Sequence, residues 1–450
     1  MDTIDRMKYS RKSDYCDGVS RRSLIQAGLA GSFGLSMADL QRLQAEHGFS
    51  KDHGEHAVIY VFMGGGPTQH ETYDPKPEAP AEYRGPFGVV RTTHAGICFS
   101  EYMVRQAQVT DRVSVIRSIQ HNSGSHTSGT HYAQTGYYLR EPNTKLNEMP
   151  NIGSVISRVR GANHPAMPPY VSLEGRLRYG DAAWLGGAHN AFTIDADVSQ
   201  PTFKIPSVDL LEGITLDRLA DRRKLLEGVD AKRRFYDRRG TADALDKFSR
   251  QAFETVSSGR VRTAFNLSEE DNKTRDLYGM SRFGQGLLLA RRLAERGVPF
   301  VSINSGGWDN HGAEVCGFTL EDSIKKRGPH FDQGIAGLVT DLYQRGLDQK
   351  ILVVCMGEFG RTPKINQEAG RDHWGALMSI LVSGGGLRVG QVIGASDSKG
   401  GYPIESPYRP ENVLAMMYRH LGIDPAMTLQ DANGRPRYLL EERAFIKELI

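Results

Sequence analysis

Apolar residues along this chain gather in short runs, not long stretches. The run 57–62 is unbroken and rich in β-branched and aromatic side chains, the pattern of a strand buried on both faces of a sheet. Runs at 113–116, 300–303, 351–354 and 379–382 predict further strands of the same kind. Between them, 286–296, 331–345 and 411–421 repeat their apolar positions at helical spacing. Strands alternating with helices predict an α/β fold, a mostly parallel central sheet with helices on both faces. From about 207 to 275 the strand pattern stops and charges crowd together, which predicts a helical insertion.

The amino terminus has a different pattern. Arg21-Arg22 follows a polar, basic leader and precedes an uncharged, Gly-rich stretch that ends at Asp39. That stretch is too short for a bilayer span, which needs about 20 apolar residues. Paired arginines before a short h-region match a twin-arginine export signal. Residues 1–48 are therefore predicted to be signal and leader, and 49–450 the α/β domain. The partner during export would be the twin-arginine translocase, the destination periplasmic or secreted, with no transmembrane span.

Composition excludes more than it selects. A net charge of +3 over 450 residues, with both signs interspersed, argues against nucleic acid as a partner. The four cysteines form no CxxC pair, so neither a disulfide scaffold nor a zinc finger is predicted.

Ligands of a parallel sheet bind at the carboxyl ends of its strands, and the chemically loaded segments fall there. Gly64 to His70 follows the first run, and His121 to His131 the second. Asp309 and His311 follow the run at 300, and Glu358 and Arg361 the run at 351. Asp372-His373 adds a further carboxylate and imidazole. Carboxylates with neutral imidazoles suit Zn²⁺, Mn²⁺ or iron, and no nearby cysteine suggests a structural zinc. His121 and His131 read as core or supporting residues, and Arg371 and Asp372 as positioning His373 or each other. His330 and Asp332 read as the start of a helix, with Asp332 stabilising its amino end.

The motifs GEFGRTP, GRDHW and SGGG-L-R-VGQVIGASD lie within 331–397. Together with GGGPTQHETYDPKP and the loop Trp308 to His311, they closely resemble the family catalogued as domain of unknown function 1501. The resemblance covers nearly all of the chain after the signal. That family is similar to the alkaline-phosphatase superfamily, whose members hydrolyse or transfer phosphate and sulfate esters using two metals. The resemblance implies one divalent metal held by Asp309, His311 and His373, and a second held by Glu358. It places His126 on or beside the nucleophile's position, as a ligand, with Thr127 or Ser125 as the attacking hydroxyl. Arg361 and the amides of the Gly64 to Gly66 turn would hold non-bridging oxygens.

Three departures stand out. Phe359 occupies a position where the superfamily has His. The first strand ends in Met63-Gly64-Gly65-Gly66 instead of delivering an Asp, leaving His70 or Asp74 as substitutes. No Cys/Ser-x-Pro-x-Arg motif is present, which speaks against a formylglycine sulfatase. The expected function is an exported, metal-dependent hydrolase of an anionic small-molecule or polysaccharide ester, a phosphate or a sulfate. Zinc is the first choice of metal, with Mn, Ca or Fe as alternatives. A non-catalytic exported metal- or anion-binding protein on the same fold is the rival reading, and an isomerase or mutase a third.

Overall fold

The computed structural model describes residues 53–141, 144–201, 203 and 259–450. Among these residues the apolar runs assemble into an eight-stranded sheet. In chain order its strands are β1 (Ala57–Phe62), β2 (Val113–Ile119), β3 (Tyr170–Leu173), β4 (Phe192–Ile194), β5 (Phe300–Asn304), β6 (Ile351–Met356), β7 (Met378–Gly384) and β8 (Val392–Ile393). They lie in the order β8-β2-β7-β6-β1-β5-β3-β4.

β1 is central, pairing in parallel with β5 (Val58 opposite Phe300) and with β6 (Ala57 opposite Ile351). Its period of two divides the core. Ala57, Ile59 and Val61 pack on one face, and Val58, Tyr60 and Phe62 on the other. Helices α3 (Arg282–Glu295) and α4 (Leu320–Gln344) cover the first face. Helices α1 (His126–Thr135), α2 (Ile152–Val159) and α5 (Pro410–His420) cover the second. Burying each large apolar side chain contributes about 1.5–3 kcal/mol, so a strand buried on both sides is firmly placed. The fold is the expected mostly parallel α/β architecture.

One strand runs against the rest. β7 is antiparallel to both β6 and β2. Its amino end therefore lies at the sheet edge where the parallel strands have their carboxyl ends, and residues just before it arrive at that same edge.

All described residues fall in one unit, Ser50–Ile450. The start of the expected insertion lies outside the described residues. Within its end lies the helix Gly259–Phe265, and the helix Asn272–Tyr278 straddles its expected boundary. The expected export signal also lies outside them. No helix among the described residues is long and apolar enough to cross a membrane.

Candidate metal centre

Two strand ends and one helix start deliver four side chains to one point. β5 leads through Ser305–Trp308 to Asp309 and His311. α1 begins at His126. His373 sits in a short antiparallel pair, opposite Arg361, just before β7. One potential ligand atom from each of His126, Asp309, His311 and His373 lies within 4.8 Å of all the others.

The three imidazoles share an orientation. The Nε2 atom of each faces Asp309, at 3.2 Å from Oδ2 for His126, and at 3.0 and 3.3 Å from Oδ1 for His311 and His373. Each Nδ1 has an acceptor outside the cluster. Glu358 Oε1 lies 2.7 Å from His126 Nδ1, Asp372 Oδ1 2.9 Å from His311 Nδ1, and the Gly124 carbonyl 2.8 Å from His373 Nδ1. Acceptors at Nδ1 fix the tautomer and leave the Nε2 lone pairs pointing inward, as in carboxylate–histidine–metal sites.

Two observations test whether a cation suits this arrangement. His311 Nε2 and His373 Nε2 are 2.8 Å apart. With both Nδ1 positions donating outward, two lone pairs face each other, and a proton or a cation must lie between them. Bonds of about 2.0–2.1 Å from each nitrogen to one zinc ion require only a slight opening of this pair. In addition, Oε2 of the buried Glu358 has no partner, which is costly for a carboxylate oxygen. The donor set of imidazole and carboxylate fits a borderline divalent ion.

The charges are strongly coupled. Burial works against ionisation of Asp309, but bonds from His126, His373 and Arg361 outweigh it and hold the carboxyl well below the usual range. Burial also opposes charge on His126, yet Asp309 and Glu358 push its pKa up to about 9. Without a metal, His126 is protonated at neutral pH, so a metal must displace that proton to bind.

Arg361 corrects the sequence reading. Its guanidinium is fully buried and donates to Asp309 Oδ1 at 2.5 Å and to the carbonyls of Gly66 and Arg371, each at 2.9 Å. It also donates to the carbonyl of Gly65. Those donors are occupied, so Arg361 positions Asp309 instead of reaching for a ligand. The Gly65 amide is likewise taken, by Glu358 Oε1 at 2.9 Å.

Glu358 reaches the cluster but stands behind His126, outside the four-atom group. His70 does not reach it. The His70 ring is buried, its Nε2 lies 2.8 Å from the Lys399 carbonyl, and burial keeps its pKa well below the ordinary value. Asp74 is occupied elsewhere, pairing with Lys76 at 2.9 Å and Arg117 at 3.4 Å. Ser125 and Thr127 flank His126, with their hydroxyls 2.8 Å apart. Ser125 is exposed and Thr127 buried.

Several supporting residues differ from expectation. Asp372 orients His311, not His373. Arg371 forms a buried ion pair with Glu71 at 2.8 Å, anchoring the loop that carries Asp372 and His373. Glu71 was not singled out in the sequence, although its motif was. Cys316 proves to be near the site, but its thiol is turned 3.3 Å from the Asp309 carbonyl. His121 bonds the Glu358 carbonyl at 2.6 Å and His131 the Tyr137 carbonyl at 2.6 Å, both supporting roles.

A mostly parallel α/β sheet with three inward-facing imidazoles around a carboxylate at its carboxyl edge defines an α/β protein with a candidate metal centre. The chain belongs to the family described as "Protein of unknown function (DUF1501)", whose family model matches residues 55–450. No curated protein matches the chain.

Among solved structures, Ps i-CgsB is 9% identical with a TM-score of 0.40, covering 82% of this chain and 72% of that one. PsFucS1 sulfatase from Pseudoalteromonas sp. is 12% identical with a TM-score of 0.36, covering 90% and 72%. Alkaline phosphatase from the Antarctic bacterium TAB5 is 10% identical with a TM-score of 0.35, covering 81% and 98%. Such scores are too low to transfer a function or a residue's role to this chain.

Proposed function

We propose that the protein is an exported, metal-dependent hydrolase of phosphate or sulfate esters. The observation that carries this reading is the convergence of three Nε2 atoms on Asp309, each ring held from behind by an acceptor. A divalent cation held by these residues would supply Lewis acidity and positive charge opposite an anionic ester, with zinc the first choice. The chain's own residues orient and hold. Arg361 fixes Asp309, Glu358 fixes His126, and Asp372 fixes His311. His126 opens α1, whose first-turn amides have no partner within the helix, and a helix amino end favours an anion nearby. In hydrolysis the ester bond to phosphorus or sulfur breaks, the hydroxyl of water joins the phosphorus or sulfur, and the water's other proton goes to the leaving oxygen. Of the two candidate hydroxyls, Ser125 is the exposed one and so the more accessible for a covalent route.

A second reading has its own support. The donors expected to hold the ester's oxygens, Arg361 and the Gly65 amide, are already spent within the protein. That favours a metal- or anion-binding protein without turnover. Export by the twin-arginine route is part of both readings. Protein purified after export should hold about one divalent ion per chain and cleave aryl phosphate or aryl sulfate. Stoichiometric metal without turnover on either ester, across zinc, manganese, calcium and iron, selects the binding reading. Absence of bound metal sinks the hydrolase and the metal-binding form of the second reading, leaving only anion binding. Changing Arg21-Arg22 to Lys-Lys should keep the protein in the cytoplasm, and unchanged export would refute the signal.

A further inference from the structure

An open cavity of about 720 Å³ lies beside the metal centre, within the range of about 300–1,000 Å³ typical of ligand pockets. It forms where β3 and β5 end. Glu174 follows β3, and Asn304 and Ser305 lead out of β5. The opposite wall is α4, through Lys326, Arg327 and His330. Trp308 lines this cavity, and the next residue, Asp309, faces the imidazoles. Consecutive Cα atoms are about 3.8 Å apart, so a single loop separates the two spaces.

The cavity's cations are not equivalent. Arg282 is committed to Glu174 and, at 3.4 Å, to Asp195. Arg327 is different. Its side chain donates to Ser323 Oγ at 3.0 Å and lies 5.8 Å from the Phe318 ring centre. Among the described residues no carboxylate lies in ion-pair range of it. Burial alone draws its pKa down, with no acid acting against that. Its guanidinium rests on the loop itself, since a Cβ on Gly307 would come within 2.3 Å of Nη2. Lys326, exposed beside it on α4, has no acid partner among the described residues either. A partly desolvated guanidinium without a counter-ion pays for burial with no return, and an anion entering the cavity would offset that loss.

We infer that this cavity is an anion subsite in which Arg327, assisted by Lys326, binds a second anionic group of the substrate. The inference rests on the hydrolase reading for the group placed at the metal. It narrows the substrate class to esters bearing a further sulfate or phosphate beside the scissile one, such as a multiply sulfated or phosphorylated oligosaccharide.

The test is calorimetric titration of the full-length, metal-loaded protein with sulfated maltotetraose, phosphorylated maltotetraose and unmodified maltotetraose. The wild type should bind at least one anionic form and not the unmodified sugar. Arg327→Gln should weaken that binding at least about tenfold, the scale of losing one charge-assisted contact. Lys326→Gln, at an exposed position, should weaken it by about threefold, in line with a solvent-screened charge. Thermal unfolding monitors folding, and if Arg327→Gln is unstable, Arg327→Lys should fold and retain part of the affinity. Equal binding of charged and uncharged sugars, no binding by the wild type, or affinity indifferent to both substitutions overturns the proposal. The two readings fail separately. Arg327-dependent binding without turnover of any ester sinks hydrolysis alone, and turnover of aryl esters with Arg327-independent binding sinks the subsite alone.

Discussion

The molecule gathers histidines at both edges of its sheet, and the two groups behave oppositely. At the carboxyl edge, His126, His311 and His373 surround Asp309 with their Nε2 atoms turned inward. At the amino edge, His53, His56 and His420 lie together with ring centres 4.7 Å apart for His53–His56 and His56–His420, and among the described residues no carboxylate lies in ion-pair range of these rings. There the ring nitrogens meet backbone. His420 Nε2 lies 3.1 Å from the carbonyls of both Ala57 and Lys350, which start β1 and precede β6. His53 and His56 both approach the His420 carbonyl, at 3.1 and 3.0 Å. Burial drives the His420 pKa down to about 3, whereas carboxylates carry His126 up to about 9. Proximity of imidazoles therefore does not make a metal site. What distinguishes the carboxyl edge is a central anion and an acceptor behind each ring.

The sharpest way to break this comparison is to remove ligands from each edge in turn. His373→Ala or Asp309→Ala should lower metal affinity by more than about 100-fold, since losing even an outer hydrogen-bond partner costs about 10–100-fold. His420→Asn should leave metal content unchanged, as read by elemental analysis and competition titration. Next in size, Arg361→Met should destabilise the protein by about 3 kcal/mol in chemical denaturation, because it leaves several buried carbonyls and Asp309 without their donor. Asp372→Ala removes the acceptor behind His311 together with a 3.3 Å bond from Asn366 Nδ2, at an exposed position. It should weaken metal binding about tenfold without moving the thermal midpoint.

The smallest effect is in the pH dependence of the metal-free protein. His126 has a raised folded pKa, so its stabilisation is complete below about 6.5 and is lost as pH rises toward about 9. His420 has a depressed one, so its stabilisation is complete above about 6.5 and is lost as pH falls toward about 3. His126→Gln should flatten the alkaline wing of the denaturation profile, and His420→Asn the acid wing. Identical profiles for both variants would show that the two edges do not differ as argued.

Much of this was legible in the sequence, for a physical reason. Strands buried on both faces need continuous apolar runs, and those at 57, 113, 300, 351 and 379 all became strands of the sheet, the last of them antiparallel. The short outer strands Tyr170–Leu173, Phe192–Ile194 and Val392–Ile393 were missed, being too brief to stand out from loop. Pro329 lies inside a helix that the sequence reading started too late. The sequence suggested a helix starting near His330, whereas α4 begins ten residues earlier, with Thr319 and Asp322 forming its capping box, and runs through the proline. Asp332 consequently lies inside α4, where its two oxygens accept from the amides of Arg105 and Gln106, each at 2.9 Å.

Strand-end logic brought Asp309, His311 and His373 to one edge correctly. It had no means of showing that Arg361 would be consumed by carbonyls or that His70 would turn toward the loop at Lys399. Those outcomes depend on side-chain direction, which spacing along a chain does not encode.

The glycine turn after β1 has a consequence for anyone wishing to retrofit the acid that this strand lacks. A Cβ at Gly65 would lie 2.4 Å from the Asp309 amide nitrogen, and one at Gly66 would sit 2.5 Å from the Phe359 ring. Both positions also have positive φ. Gly64 alone has room, with Asn304 Oδ1 the nearest atom at 3.5 Å. An aspartate grafted there could be added without evicting its neighbours, whereas the same graft one step later would dislodge Asp309 itself.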